Sequence, residues 1–131
     1  MSTRRQLRLF VDRCVGGKVL KEMLMERGVA VDIVLHDEKF AIDEDDTVWA
    51  HWAAGEGRIV LTRDLFRNEY QRRVLADYSG IIVILPTMNT ADTVDFLLRS
   101  WTKIEHLATQ GLTGCFKFSG VTGKLSRRWR N

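Results

Sequence analysis

Short apolar runs alternate along the chain with stretches in which apolar positions recur every three or four residues, the pattern of strands separated by helices. Residues 7–12 (LRLFVD) make a short, β-rich run, and Gly16-Gly17 then opens a stretch with Val19, Leu20, Met23 and Leu24 on one helical face, closed by Arg27-Gly28. Residues 29–35 (VAVDIVL) predict a second strand. Val48, Trp49, Trp52 and Ala53 recur at helical spacing up to Gly57, with Asp45 or Asp46 as the cap. Residues 58–62 (RIVLT) predict a third strand, followed by a helical stripe of Tyr70, Val74 and Tyr78. Residues 80–85 (GIIVIL) are the fourth and most apolar strand. Thr90 is the expected cap of a long helix that keeps Val94, Leu97, Leu98, Trp101, Ile104 and Ala108 at a 3,4 spacing, and residues 114–119 predict a last strand.

Strands joined by single helices imply a mostly parallel sheet covered on both faces, because parallel neighbours need a crossover. The fold class is α/β with three layers. In such sheets the loops leaving the carboxyl ends of the strands share one edge, where ligands bind. Asp12 ends the first strand, Asp64 follows the third, and Asp43 to Asp46 lie between the second strand and its helix, so all are expected at that edge. Taken alone, Asp46 suits a helix cap and Asp64 a turn. Asp12, at the end of an apolar strand, has no such role. Converging carboxylates repel one another, so either some hold protons or a cation neutralises them. Oxygen-only ligands favour Mg²⁺ or Mn²⁺.

The chain has 131 residues, the size of one domain, and its 45% hydrophobic and 28% charged content is that of a globular chain. No apolar run approaches the roughly 20 residues of a membrane helix, and the basic start lacks a signal-peptide core, so no membrane contact and a cytoplasmic location are expected. Cys14 and Cys115 stand far apart with no CxxC pair, which argues against a disulfide framework or a structural zinc site. The net charge is +3, but Lys124, Arg127, Arg128 and Arg130 crowd the last residues with no acid; without them sixteen cations face seventeen acids. The expected organisation is a domain over 1–120 and a basic tail over 121–131.

The segments LFVDRCVGGKVL, VLHDEKF and DDTVWAHWAAGEGRIVLTRD, with the long helix after GIIVILP, resemble the PIN-domain nuclease superfamily, in particular its small VapC-type toxin-like branch, over nearly the whole chain. The TRD at Thr62 to Asp64 is the most specific part. The resemblance implies a parallel sheet of about five strands in the order 3-2-1-4-5 and a metal-dependent endoribonuclease activity. Asp12, Asp46 and Asp64 stand where the family places catalytic, metal-binding acids, with Thr62 in support. The further helix-borne acid usual in the superfamily is missing; Asp43 is the preferred substitute, ahead of Asp37 or Glu38. Arg13 and Cys14 stand where other small members often have an acid and an amide. Expected partners are RNA, an antitoxin protein and a second copy of the chain.

The RNA phosphates would be held at the site edge by Arg13, Lys18 and Arg63, and by Arg127, Arg128 and Arg130 of the tail, where Trp129 offers a ring for stacking. Gly16-Gly17-Lys18 is not a phosphate loop, because position 12 is Asp and Val19 replaces the Mg²⁺-holding Ser or Thr. His36, His51 and His106 have no metal-ligand spacing, Cys14 reads as an inert thiol, and Trp49, Trp52 and Trp101 read as core or dimer contacts. A non-catalytic PIN-like module binding RNA or a protein is the alternative function. A phosphoacceptor domain is disfavoured by Pro86-Thr87 after the fourth strand, where a Lys is required.

Overall fold

Apolar runs become strands here because each must bury side chains on both faces of one sheet. The computed structural model describes residues 7–29, 32–120 and 122–129. In chain order the elements are β1 (Arg8–Val11), α1 (Lys18–Glu26), β2 (Asp32–Leu35), α2 (His36–Lys39), α3 (Asp46–Gly55), β3 (Ile59–Thr62), α4 (Glu69–Leu75), β4 (Ile81–Ile84), α5 (Thr90–Thr109), β5 (Gly114–Phe118) and β6 (Leu125–Arg127). Alternate residues of the strands enter opposite layers. Leu9, Val11, Leu61 and Val83 pack against Leu20 and Leu24 of α1 and Leu97 and Trp101 of α5. Phe10, Val60, Ile82 and Ile84 pack against Trp49 and Ala53 of α3 and Leu75 of α4. Each such fully buried side chain contributes roughly 1.5–3 kcal/mol, so the two layers account for the three-layer fold.

The sheet order is β2-β1-β3-β4-β5-β6, parallel except for β6, which runs antiparallel to β5. This corrects the expected order 3-2-1-4-5. The reason lies in burial: all four residues of β3 are buried, whereas β2 alternates between half-buried and buried residues. A strand with nothing to show to water belongs inside the sheet, and β2, opening on Asp32, suits the edge. The chain therefore goes from β1 to β2 on one side and returns past β1 to β3 on the other, which makes the β1–β3 junction the point where strand order reverses. That is where ligands sit in open α/β sheets.

Local signals set the boundaries. Gly28, with φ +66°, donates its N–H to Met25 O at 3.0 Å and closes α1 as expected. The cap of α5 is Asn89, whose side chain accepts from Asp92 N, and the predicted Thr90 is the first helical residue. The acidic stretch is not all loop, since α2 occupies its start. Nor does the fold stop at residue 120: β6 pairs with β5 from Phe116↔Arg127 to Phe118↔Leu125, and Trp129 packs against the α3/α4 layer. Among the described residues no helix is long and apolar enough to cross a membrane.

Candidate active site

Side by side, β1 and β3 deliver their next residues together, and Asp12 N donates to Leu61 O at 3.0 Å. Thr62, the last residue of β3 and wholly buried, links two acids. Its hydroxyl donates to Asp12 Oδ2 at 2.8 Å and accepts from Asp64 N at 3.1 Å. Asp64 in turn accepts from Phe66 N at 2.8 Å through Oδ1, in a turn that holds Phe66 at φ +50°. A β-branched hydroxyl residue suits this position because it continues the strand while its oxygen serves both neighbours.

The third acid arrives from α3. Asp45 caps that helix, accepting from Thr47 N at 2.8 Å and from the Thr47 hydroxyl at 2.7 Å. The alternative left open by the sequence is thereby resolved, and Asp46 is released from capping to face the strand ends. Its Oδ1 accepts from the Trp49 indole N–H at 3.1 Å and its Oδ2 from Gln71 Nε2 at 2.9 Å. Burial, then hydrogen bonding and repulsion from Asp64, then the charge of Asp12 push the Asp46 carboxyl up to about 6. Among the described residues, no Lys or Arg side chain pairs with Asp12, Asp46 or Asp64.

Three of the flanking acids are already compensated. Asp37 is held low by its hydrogen bond from His36 and by Arg13, Glu38 by the Leu35 N–H and Lys21, and Asp45 by the Thr47 hydroxyl. Cys14 is exposed as a residue, and its sulfur lies beside the acids, donating to Asp12 Oδ2 at 3.3 Å. Burial first and Asp12 second push this thiol up, which keeps it protonated and a donor.

A cleft of about 610 Å³ runs from Asp12 and Asp46 past Arg13, Lys18 and His36. Glu44 lines it, whereas Asp43, the expected fourth acid, is exposed and outside the lining. Arg13 lies in the wall but pairs with Asp37 at 2.9 Å, and Lys18 is exposed there, 3.9 Å from Glu22. Arg63 is turned away from the cleft. Its guanidinium donates to Pro86 O, Cys14 O, Val15 O, Met88 O and the Thr93 hydroxyl at 2.6–3.2 Å, bracing the exits of β1 and β4 against α5 rather than presenting charge to a phosphate. Arg127 donates to Thr113 O and lies over the Phe116 ring, and Arg128 donates to Leu65 O. Arg130 lies outside the described residues. The rings of Trp129 and Phe66 are 6.5 Å apart, so Trp129 is partly buried within its own domain.

Among the described residues no three His, Cys, Asp or Glu side chains form a ready-made metal cage. The donor set is nevertheless hard oxygen with a shortage of positive charge, and Mg²⁺ is held by one or two carboxylates with retained water rather than by an all-protein cage. Asp12, Asp46 and Asp64 supply hard oxygens of that kind at the strand edge without meeting as a closed cage. Sequence reasoning missed Gln71 and Glu44. Gln71 had a signal, being the polar residue four before the buried Leu75 on the inner stripe of α4; Glu44 had none to separate it from the other acids of its run.

The family model described as PIN like domain matches residues 7–87, which span β1 to the exit of β4 and include Asp12, Asp46, Thr62 and Asp64. No curated protein and no solved structure matches the chain.

Proposed function

The chain belongs to the PIN-like domain family, and from that premise we propose that it is a Mg²⁺- or Mn²⁺-dependent endoribonuclease that hydrolyses RNA phosphodiester bonds. The observation that carries this reading is the trio at the strand edge, in which Asp46 is pushed up to about 6 by burial and by two acids that no basic side chain among the described residues pairs with. A divalent ion held there supplies the missing charge, stabilises the crowded phosphate oxygens of an in-line displacement and acidifies the attacking water.

The chain's own residues do the positioning. Thr62 fixes Asp12 and the Asp64 backbone relative to each other, and Trp49 and Gln71 orient the two oxygens of Asp46. Hydrogen bonds from neutral donors leave the carboxylates charged, so their attraction for a cation is kept. Lys18 is exposed at the start of α1 and lines the cleft, which supports a role in meeting a substrate phosphate. A toxin role with an antitoxin partner belongs to the same proposal.

Cleavage of a single-stranded RNA in Mn²⁺, compared with EDTA and with Asp12→Asn, Asp46→Asn and Asp64→Asn, tests it. Cleavage that needs the ion and falls at least a hundredfold in each variant, with RNA binding kept, is the expected result. Metal-independent cleavage, or variants as active as the parent, would sink it. The lack of a three-residue cage among the described residues favours a second reading, a non-catalytic RNA-binding module, which predicts binding with no cleavage in any metal.

A further inference from the structure

Beyond Asp46 the wall of the site continues onto α4, because Gln71 of that helix holds Asp46 Oδ2. The outward side of the same segment carries Arg67, Tyr70, Arg72 and Arg73, all exposed. Tyr70 and Arg73 stand three apart and share a helix face, and Arg67 stands immediately before the Asn68 cap, only three residues past Asp64.

Two observations set this surface apart. Arg8, Arg13, Lys21 and Arg58 each face a carboxylate, and Arg63, Arg127 and Arg128 donate to carbonyls. By contrast, the guanidiniums of Arg67, Arg72 and Arg73 show neither an ion pair nor a hydrogen bond among the described residues; Arg27, Lys117 and Lys124 share that state, but here three such cations fall between positions 67 and 73, with Glu69 the single acid among them. Tyr70 is 55% exposed, the only aromatic among the exposed large apolar side chains of the described residues. An uncovered ring among unpaired cations matches a ligand that alternates phosphates with flat, unstacked bases. A duplex keeps its base faces stacked and offers the ring nothing.

We infer that α4 and the turn before it are the docking surface for a single strand of RNA running past Asp46, with Arg67, Arg72 and Arg73 on phosphates and Tyr70 under a base. The choice of RNA over another polyanion rests on the nuclease reading above; the surface itself does not. The strand meets the acids and α4 in succession, so this face sets how the scissile phosphate is presented.

The full chain is titrated with a fluorescent single-stranded RNA oligonucleotide in EDTA at several salt concentrations, with melting curves confirming that each variant is folded. The double variant Arg67→Ala/Arg73→Ala is expected to bind about tenfold or more weaker at low salt, with the slope of log affinity against log salt reduced by about 0.7 per lost contact. Tyr70→Ala is expected to weaken binding about fivefold or more at unchanged slope, and Tyr70→Phe to bind like the parent. Parent-like affinity and slope in both alanine variants would overturn the inference, as would a parent that binds no RNA or one from which duplex RNA displaces the strand equally well. Cleavage is scored separately in Mn²⁺. Binding with the expected variant effects but no cleavage removes the nuclease reading and leaves the surface standing, whereas cleavage with unaffected binding removes the surface alone.

Discussion

The two edges of the sheet treat the same side chain in opposite ways. At the amino edge, where β1, β2 and β3 begin, Asp32 accepts from Arg58 at 2.8 and 3.2 Å and from Arg8 at 3.2 Å. The Arg58 hydrogen bonds, with Arg8 in addition, hold that carboxyl below the ordinary range. At the carboxyl edge Asp46 is pushed up to about 6, because burial and two further acids surround it, and no basic side chain among the described residues pairs with them. Among the described residues one edge carries its cation as part of the fold and the other does not. An acid supplied with its own arginine is a structural element, while acids assembled without one are the candidates for a ligand that arrives from outside.

The largest expected effect breaks the satisfied edge. Arg58 is 6% exposed and also donates to Leu9 O, so Arg58→Met should lower stability by about 2–4 kcal/mol in urea unfolding while leaving any response to Mn²⁺ intact. Next, Thr62→Val at the other edge removes the donor to Asp12 and the acceptor for Asp64 N at a buried position, costing about 1–3 kcal/mol in the same assay. Thr62→Ser, which keeps both bonds, should cost clearly less. Equal losses from the two Thr62 variants would mean that the linking hydroxyl does not matter.

A smaller effect has the opposite sign. Folded Asp46 keeps its proton up to about pH 6, whereas an unfolded carboxyl releases it near about pH 4. The folded chain holds the extra proton between those values, so the Asp46 contribution to stability declines as pH rises through that window and reaches its full penalty above it. Asp46→Asn lacks the penalty. Without metal it should melt like the parent near pH 4 and a few degrees higher at pH 7.5, and a variant that melts lower at pH 7.5 would contradict the charge-crowded edge. The smallest effect separates two acids of one run: Glu44→Gln should weaken Mn²⁺ binding several-fold and Asp43→Asn leave it unchanged, because only Glu44 lines the cleft.

Periodicity and composition make most of this legible. The five parallel strands, the intervening helices and the gathering of Asp12, Asp64 and the acids of 43–46 at one edge follow from short apolar runs, helical stripes and the rule that strand ends share an edge; the choice of Asp46 within that run comes with the PIN-domain resemblance. Strand order does not follow from periodicity, which treats β2 and β3 alike; Asp32 at the start of β2 and the complete burial of β3 decide which of them takes the edge. The fates of the arginines were equally hidden. Arg63 next to Asp64 looks like a phosphate ligand until the carbonyls of Pro86 and Met88, distant in sequence, are seen to hold it. The tail reads as a separate basic segment because charge is a local property, whereas the pairing of β6 with β5 and the contact of Trp129 with Phe66 are not.

Among the described residues the carboxyl edge lacks a cation, and the proposal is that a divalent ion supplies it. Its most direct test is the melting temperature of the parent and of Asp12→Asn, Asp46→Asn and Asp64→Asn at pH 7.5 as Mn²⁺ is raised into the millimolar range. Binding to the folded state alone raises the parent's melting temperature progressively with ion concentration, and each substitution should largely abolish that rise. A parent indifferent to millimolar Mn²⁺, or variants that respond as strongly as the parent, would contradict the account.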